Sequence, residues 1–102
     1  MHKRWGWMQI LLRGKQFKVK ALYFEAGKSI SYQKHDHRSE LWLFIFGKGM
    51  MRKGKNVYHQ RKKGETILIN RGEWHQYTAE ENTLVVEIQF GGWCSDRDIV
   101  RK

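Results

Sequence analysis

The feature that most limits what this chain can fold into is a period-two alternation of side chains in short runs, cut by glycine-bearing turns. From Phe17, the residues Phe17, Val19, Ala21 and Tyr23 alternate with Lys18, Lys20, Leu22 and Phe24, one face being richer in charge. From Thr83, Leu84, Val86, Ile88 and Phe90 share a face. Between them lie the shorter runs 29–33, 41–46, 56–60, 66–69 and 74–78, and alternation of this kind marks strands. The separators are Ala26-Gly27-Lys28, Gly47-Lys48-Gly49, Lys53-Gly54-Lys55, Lys63-Gly64-Glu65 and Asn70-Arg71-Gly72. Glycine recurs at such corners because it tolerates positive φ. No window carries a helical stripe, so the crossover helices of a parallel sheet are not available. Seven to nine short strands at even spacing predict an all-β sandwich or barrel.

At 102 residues the chain makes one domain, and a domain of that size buries only roughly 60–65% of its unfolded surface. A hydrophobic fraction of 40% is enough for one core. The longest unbroken apolar run, 41–46, falls far short of the ~20 residues of a membrane span. No apolar stretch follows the basic start, so no secretory signal is expected. Cys94 is the only cysteine, which excludes an internal disulfide and a multi-cysteine zinc ribbon. These features point to a soluble protein of a reducing, cytoplasmic compartment. The formal charge of +10 with 14% aromatic residues would also suit a barrel that binds nucleic acid. Its basic residues are spread along the chain rather than gathered in one stripe, which disfavours that reading.

The densest chemistry is Gln33-Lys34-His35-Asp36-His37-Arg38-Ser39-Glu40. On a strand, residues 33, 35 and 37 project to one face, and a turn through Arg38-Ser39 would bring Glu40 back across the same cavity. His75 follows the Asn70-Arg71-Gly72 turn and opens a run with aromatic neighbours, whereas His2 and His59 lack such a setting and read as surface residues. Amide oxygen, imidazole and carboxylate form a borderline donor set suited to Zn, Mn, Fe, Co or Ni. The candidate donors are Gln33, His35, His37, Glu40 and His75.

The spacing of these residues resembles the cupins, small jelly-roll barrels. Their first motif runs Gly, five residues, His-x-His, four residues, Glu, six residues, Gly; here it reads Gly27, Gln33-Lys34-His35, Glu40 and Gly47 with every gap kept. Their second motif is matched by Gly64, Asn70-Arg71-Gly72 and His75, with the family's Pro and final Asn replaced. Gln at the first histidine position resembles the phosphomannose isomerase branch. So do Trp5-Gly6, Lys18-Val19-Lys20, Ala26-Gly27-Lys28-Ser29-Ile30-Ser31-Tyr32-Gln33, His35-Asp36-His37-Arg38-Ser39-Glu40-Leu41-Trp42 and Arg97-Asp98-Ile99-Val100-Arg101. The likeness spans Trp5 to Arg101. It departs at Leu41 and Asp36, where the family carries histidine, and in the Tyr-Gly-Arg that closes the family's pattern. In many members a guanylyltransferase domain precedes this one; no Gly-rich phosphate cradle precedes Trp5, so guanylyl transfer is not expected of these residues.

The resemblance implies a single jelly-roll domain over residues 1–102, a divalent transition metal held by Gln33, His35, Glu40 and His75, and interconversion of mannose 6-phosphate and fructose 6-phosphate through an enediolate. Such chemistry needs a Lewis acid, a base near neutrality and a cationic hold on phosphate. His37 is the candidate base, its other role being a ligand in place of Gln33. Arg38, Lys18, Lys20 and Arg101 are the candidate phosphate contacts, and Arg38 is also a candidate catalytic group. Trp42, Phe44 and Phe46 are read as core or interface, and Trp74 and Tyr77 as pocket walls. Glu87, the one acid in an apolar strand, is read as facing outward, with an inward acid–base role as the alternative. A cupin that binds a sugar or anionic ligand without this turnover is the competing function. A homodimer that covers exposed strand edges is the expected assembly.

Overall fold

A computed structural model describes residues 1–55 and 57–102; Asn56, the first residue of the expected run 56–60, lies outside the described residues. Two antiparallel sheets face each other. The larger is built from β1 (His2–Lys3), β2 (Gly6–Arg13), β3 (Phe17–Phe24), β5 (Ser39–Phe46), β8 (Thr66–Ile69) and β10 (Thr83–Phe90), in the order β1-β2-β3-β10-β5-β8. The smaller holds β4 (Gln33–Lys34), β6 (Lys48–Lys53), β7 (Val57–Lys62), β9 (His75–Ala79) and β11 (Val100–Arg101), in the order β11-β4-β9-β6-β7. No helix forms among the described residues, and none is long and apolar enough to cross a membrane.

The alternating runs fold as strands, and the glycine corners turn where expected, with positive φ at Gly27, Gly47, Gly54, Gly64 and Gly72. Of the strands of four residues or more, two were not legible. β2 was hidden by its unbroken Ile10-Leu11-Leu12 run, which bulges between Ile10 and Leu12. β6 lies inside what reads as two adjacent turn clusters. The run 29–33 is strand only at its end, Ser29 making a lone bridge to Thr78.

The core is aromatic. Phe24 and Tyr77 pack edge to face at 4.9 Å, and Trp42 and Phe44 close around them. Phe46, grouped with these two as core or interface, lies outside the core and is 41% exposed. Tyr77 is no pocket wall but fully buried, its hydroxyl 3.1 Å from Thr83 Oγ1. Trp74 stacks on Tyr32 under the ammonium groups of Lys34 and Lys102, away from the cavity.

The larger sheet inverts the usual assignment of faces. On β3 the inward residues are Lys18, Lys20, Leu22 and Phe24; on β10 they are Thr83, Val85, Glu87 and Gln89. Glu87 therefore faces inward, against the outward reading. Leu84, Val86, Ile88 and Phe90 are the outer face. Hydrophobicity places a strand only where both environments are ordinary, and here the interior at one end of the barrel is polar.

Gly49 faces inward on β6, where an added Cβ would collide with the Tyr77 hydroxyl and the Thr78 carbonyl. Gly49→Ala should therefore lose about 1–3 kcal/mol by overpacking, seen as a melting temperature lower by roughly 5–20 °C in thermal denaturation.

Candidate metal centre

Register assembles the site. On the inner face Lys18 pairs with Gln89, Gln89 with Glu40, and Glu40 with Ile69; one step along, Lys20 pairs with Glu87 and Glu87 with Trp42. On the smaller sheet Gln33 pairs with His75. The two sets face each other across a cavity of about 420 Å³, which Gln33, His35, Glu40, Glu87 and Gln89 help to line.

Ligand atoms of His35, Glu40 and His75 lie within 4.8 Å of one another, and all three residues are buried. His35 Nε2 is 3.2 Å from Glu40 Oε2, and His75 Nε2 is 3.8 Å from Glu40 Oε1. The tautomers follow from the outer partners. His35 Nδ1 lies 2.6 Å from the Asp98 carbonyl oxygen and His75 Nδ1 3.1 Å from that of Glu73. A carbonyl oxygen only accepts, so each Nδ1 carries the proton. Burial lowers both histidine pKa values, that of His75 to about 4 and that of His35 with the help of the Arg38 charge. Each neutral ring therefore turns a bare Nε2 lone pair toward the carboxylate. Such carbonyl-oriented imidazoles are the usual setting of a metal-ligating histidine.

Three electron-rich atoms without an intervening proton repel one another unless a cation joins them. Arg38 supplies part of that charge: its Nε and Nη2 sit 3.0 and 2.9 Å from Glu40 Oε2, and Nη2 is 3.5 Å from His35 Nε2. Nothing equivalent reaches His75 Nε2, a buried atom without a hydrogen-bond partner. A buried polar atom left unpaired is costly, and a divalent cation held by His35, Glu40 and His75 would satisfy it. The residues present fit such a group. Gln33 reaches the same cavity, with its Oε1 accepting a hydrogen bond from the Ser31 hydroxyl.

The remaining expectations divide. Arg101 lines the cavity. So does Lys20, whose Nζ is tied to Asp96 Oδ1 at 2.7 Å. Lys18 is buried outside the lining, 3.8 Å from the same oxygen. Arg38 is less a phosphate contact than an internal clamp, since Nη1 also donates to the Ser95 carbonyl. His37 does not reach the site: β4 stops at Lys34, so the alternation that would align it with Gln33 is broken. The Asp98 carboxylate accepts from the amides of Asp36 and His37 and rolls the loop outward, leaving the His37 ring exposed against Trp93. Asp36 is exposed and Leu41 faces out of the barrel, so the two histidines that the family carries there would not have lined this cavity.

Sequence reasoning missed two contributors and favoured the wrong face for a third. The closing segment wraps the barrel: Asp98 orients His35, Ser95 holds Arg38, and Lys102 bonds to Tyr32. The start of the chain forms part of the rim, since His2, Lys3, Arg4 and Trp5 all line the cavity. Glu87 is the third. Burial, then the adjacent Glu40 charge, pushes its carboxyl up to about 7, and Gln89 Nε2 donates to its Oε1 at 2.7 Å.

Comparisons with known proteins agree with this architecture. Residues 1–102 match the family described as mannose-6-phosphate isomerase C-terminal. A mannose-1-phosphate guanylyltransferase of Sinorhizobium fredii is 31% identical over 101 residues, covering 95% of this chain and 19% of the relative. The xanthan biosynthesis protein XanB of Xanthomonas campestris pv. campestris is 27% identical over 99% of this chain and 22% of its own length. The chain thus spans about a fifth of the length of these curated relatives. Among solved structures, KdgF from a Halomonas species superposes with a TM-score of 0.78 at 13% identity, covering 88% of this chain and 81% of that one. An RmlC-like cupin from Desulfovibrio desulfuricans gives 0.74 at 15% identity over 81% and 79%. The barrel, the matched motifs and the full-length family match together place this chain in the mannose-6-phosphate isomerase C-terminal family, as a cupin domain.

Proposed function

We propose that this domain is a metal-dependent aldose–ketose isomerase that interconverts mannose 6-phosphate and fructose 6-phosphate. The observation that carries this reading is the convergence of the His35 and His75 lone pairs on the Glu40 carboxylate inside a walled cavity. His35, Glu40 and His75 would hold a divalent transition metal, with Gln33 as a fourth donor. Bound there, the metal would supply Lewis acidity that stabilises negative charge on adjacent sugar oxygens.

The chain's own residues cover the other needs. Glu87, inward and buried beside the donor set, is better placed than His37 to take a proton from one sugar carbon and return it to the next. Gln89 holds the Glu87 carboxyl in place through its amide nitrogen, while its buried Oε1 has no partner and is free to accept from a sugar hydroxyl. The phosphate fits the rim, which Arg101, Lys3 and Arg4 all help to line. Arg38 and Lys20, both engaged in internal ion pairs, act on the site's charge balance rather than on the phosphate.

The competing reading, a cupin that holds metal and a sugar or anion without turnover, rests on the same ligands and differs only in Glu87. Purified protein should carry a transition metal and convert mannose 6-phosphate, with chelation abolishing conversion; holo protein without turnover would leave the binding role. His75→Ala should release the metal outright, measured by elemental analysis. His37→Ala should leave both metal content and rate within about twofold.

Glu87→Gln should retain metal and substrate affinity while lowering kcat by about 10²–10⁴-fold, the usual contribution of a positioned acid–base. Asp98→Asn should loosen the loop that seats His35 and weaken zinc affinity by about 10–100-fold in a competition titration.

A further inference from the structure

Basic residues that the sequence spreads along the chain are gathered by the strand register onto the outer face of the smaller sheet. None of the ten acidic residues lies in its five strands. Lys48 stands directly opposite Lys62, Met50 opposite Gln60 and Arg52 opposite Tyr58, all on the side away from the buried Gly49 and Met51. On β9, Gln76 and Thr78 continue this face beside Arg52 and Met50. Next to them rises a pile of rings and cations. The Arg52 guanidinium sits 4.3 Å from the centre of the Tyr32 ring, and Tyr32 stacks on Trp74 at 5.2 Å. The Lys34 and Lys102 ammonium groups lie 5.6 and 5.1 Å from the centre of Trp74.

We infer that this face binds single-stranded nucleic acid. Like charges directly opposite each other on neighbouring strands destabilise a sheet, and a phosphate laid across Lys48 and Lys62 would relieve that repulsion. Among the described residues, Lys48, Arg52, Lys62 and Lys102 have no carboxylate partner, while Lys34 pairs with Asp36 at 3.2 Å. Charge alone would suit any anion, and the aromatic rings select among them. Tyr58 is 58% exposed, a ring turned to solvent beside Arg52. Cations interleaved with rings on one open surface are the combination that holds an unpaired strand, phosphates on the cations and bases on the rings. A duplex hides its base faces, and an acidic protein surface or a layer of lipid headgroups would engage the charges without the rings. Held against ring faces, Arg52, Lys34 and Lys102 are already restrained, so less freedom is lost on binding. The face lies on the far side of the smaller sheet from Gln33 and His75, which turn inward. It therefore stands apart from the cavity and does not rest on the proposed isomerase.

Fluorescence anisotropy with a labelled single strand of about 15 nucleotides should show binding at about 50 mM salt, with a log–log salt slope of about −3 for four or five phosphates neutralised. Lys48→Ala with Lys62→Ala should make that slope shallower by about 1.4. Tyr58→Ala, at a position too exposed to threaten folding, should lower affinity about fivefold or more and leave the slope unchanged. Arg13→Ala with Lys15→Ala, at the β2–β3 corner of the larger sheet, removes the same charge and should leave the slope as it was. A chelator should not alter binding, which separates this outcome from the fate of the isomerase reading. Absence of binding at low salt would overturn the inference. An equal loss in the corner pair would overturn it too, leaving net charge as the sole cause. Equally tight capture of duplex, polyglutamate or vesicles of anionic phospholipid would also overturn it and assign the face to that class of partner.

Discussion

The structure depends on how one carboxylate is accommodated inside a barrel. Glu40 is 1% exposed, and an uncompensated charge at that depth is prohibitively costly. Its oxygens are accordingly surrounded. Oε2 takes two donors from Arg38, and Oε1 accepts from the indole nitrogen of Trp42 at 3.2 Å. Two imidazoles complete the shell with lone pairs rather than protons, which stabilises nothing by itself. Donors of that type make sense around a cation, and the side of Glu40 facing His75 is where the compensation now falls short. The arrangement is poised for a second positive charge that Arg38 is not placed to supply.

Much of the remaining architecture serves that requirement. Arg38 can lie beside Glu40 only because its far nitrogen is held by the Ser95 carbonyl, and His35 presents Nε2 only because its Nδ1–H donates to the Asp98 carbonyl oxygen. Both anchors come from the closing segment, which is fixed in turn by the Lys20–Asp96 pair, the β11–β4 ladder and the Lys102–Tyr32 hydrogen bond. The last residues of the chain are therefore part of the site's electrostatics. That segment contributes no donor atom to the cluster of three, yet two of the cluster's orientations run through it.

Legibility in the sequence followed from which constraints are local. Turn glycines and alternation revealed most strands because φ and side-chain facing are properties of a few adjacent residues. The family spacing of Gly27, Gln33, His35, Glu40, Gly64 and His75 pointed to three residues that the fold brings together, His35, Glu40 and His75. Failures arose where a distant contact overrode the local pattern. His37 continues the alternation from Gln33 on paper, but the Asp98 carboxylate captures its amide and turns it out. Glu87 reads as the polar side of an apolar strand, yet Lys20 and Trp42, its neighbours on either side, make the inner face its proper place. No run of five residues contains that information.

Inverting the larger sheet has one physical cause with two consequences. A barrel of this size has too little interior for both a full apolar core and a polar chamber. The core takes the end built from Phe24, Phe44, Tyr77 and Val85, and the chamber takes the end with Lys20, Glu40, Glu87 and Gln89. On β10 the inner face is thereby given up to Glu87 and Gln89, and the residues that would ordinarily fill a core, Leu84, Val86 and Ile88, are displaced to the outside. Apolar surface of that extent must be covered for the sheet to remain soluble. The chamber and the bare outer face are thus two sides of one allocation of side chains: removing the polar residues from within would relieve the need for cover without, at the cost of the site.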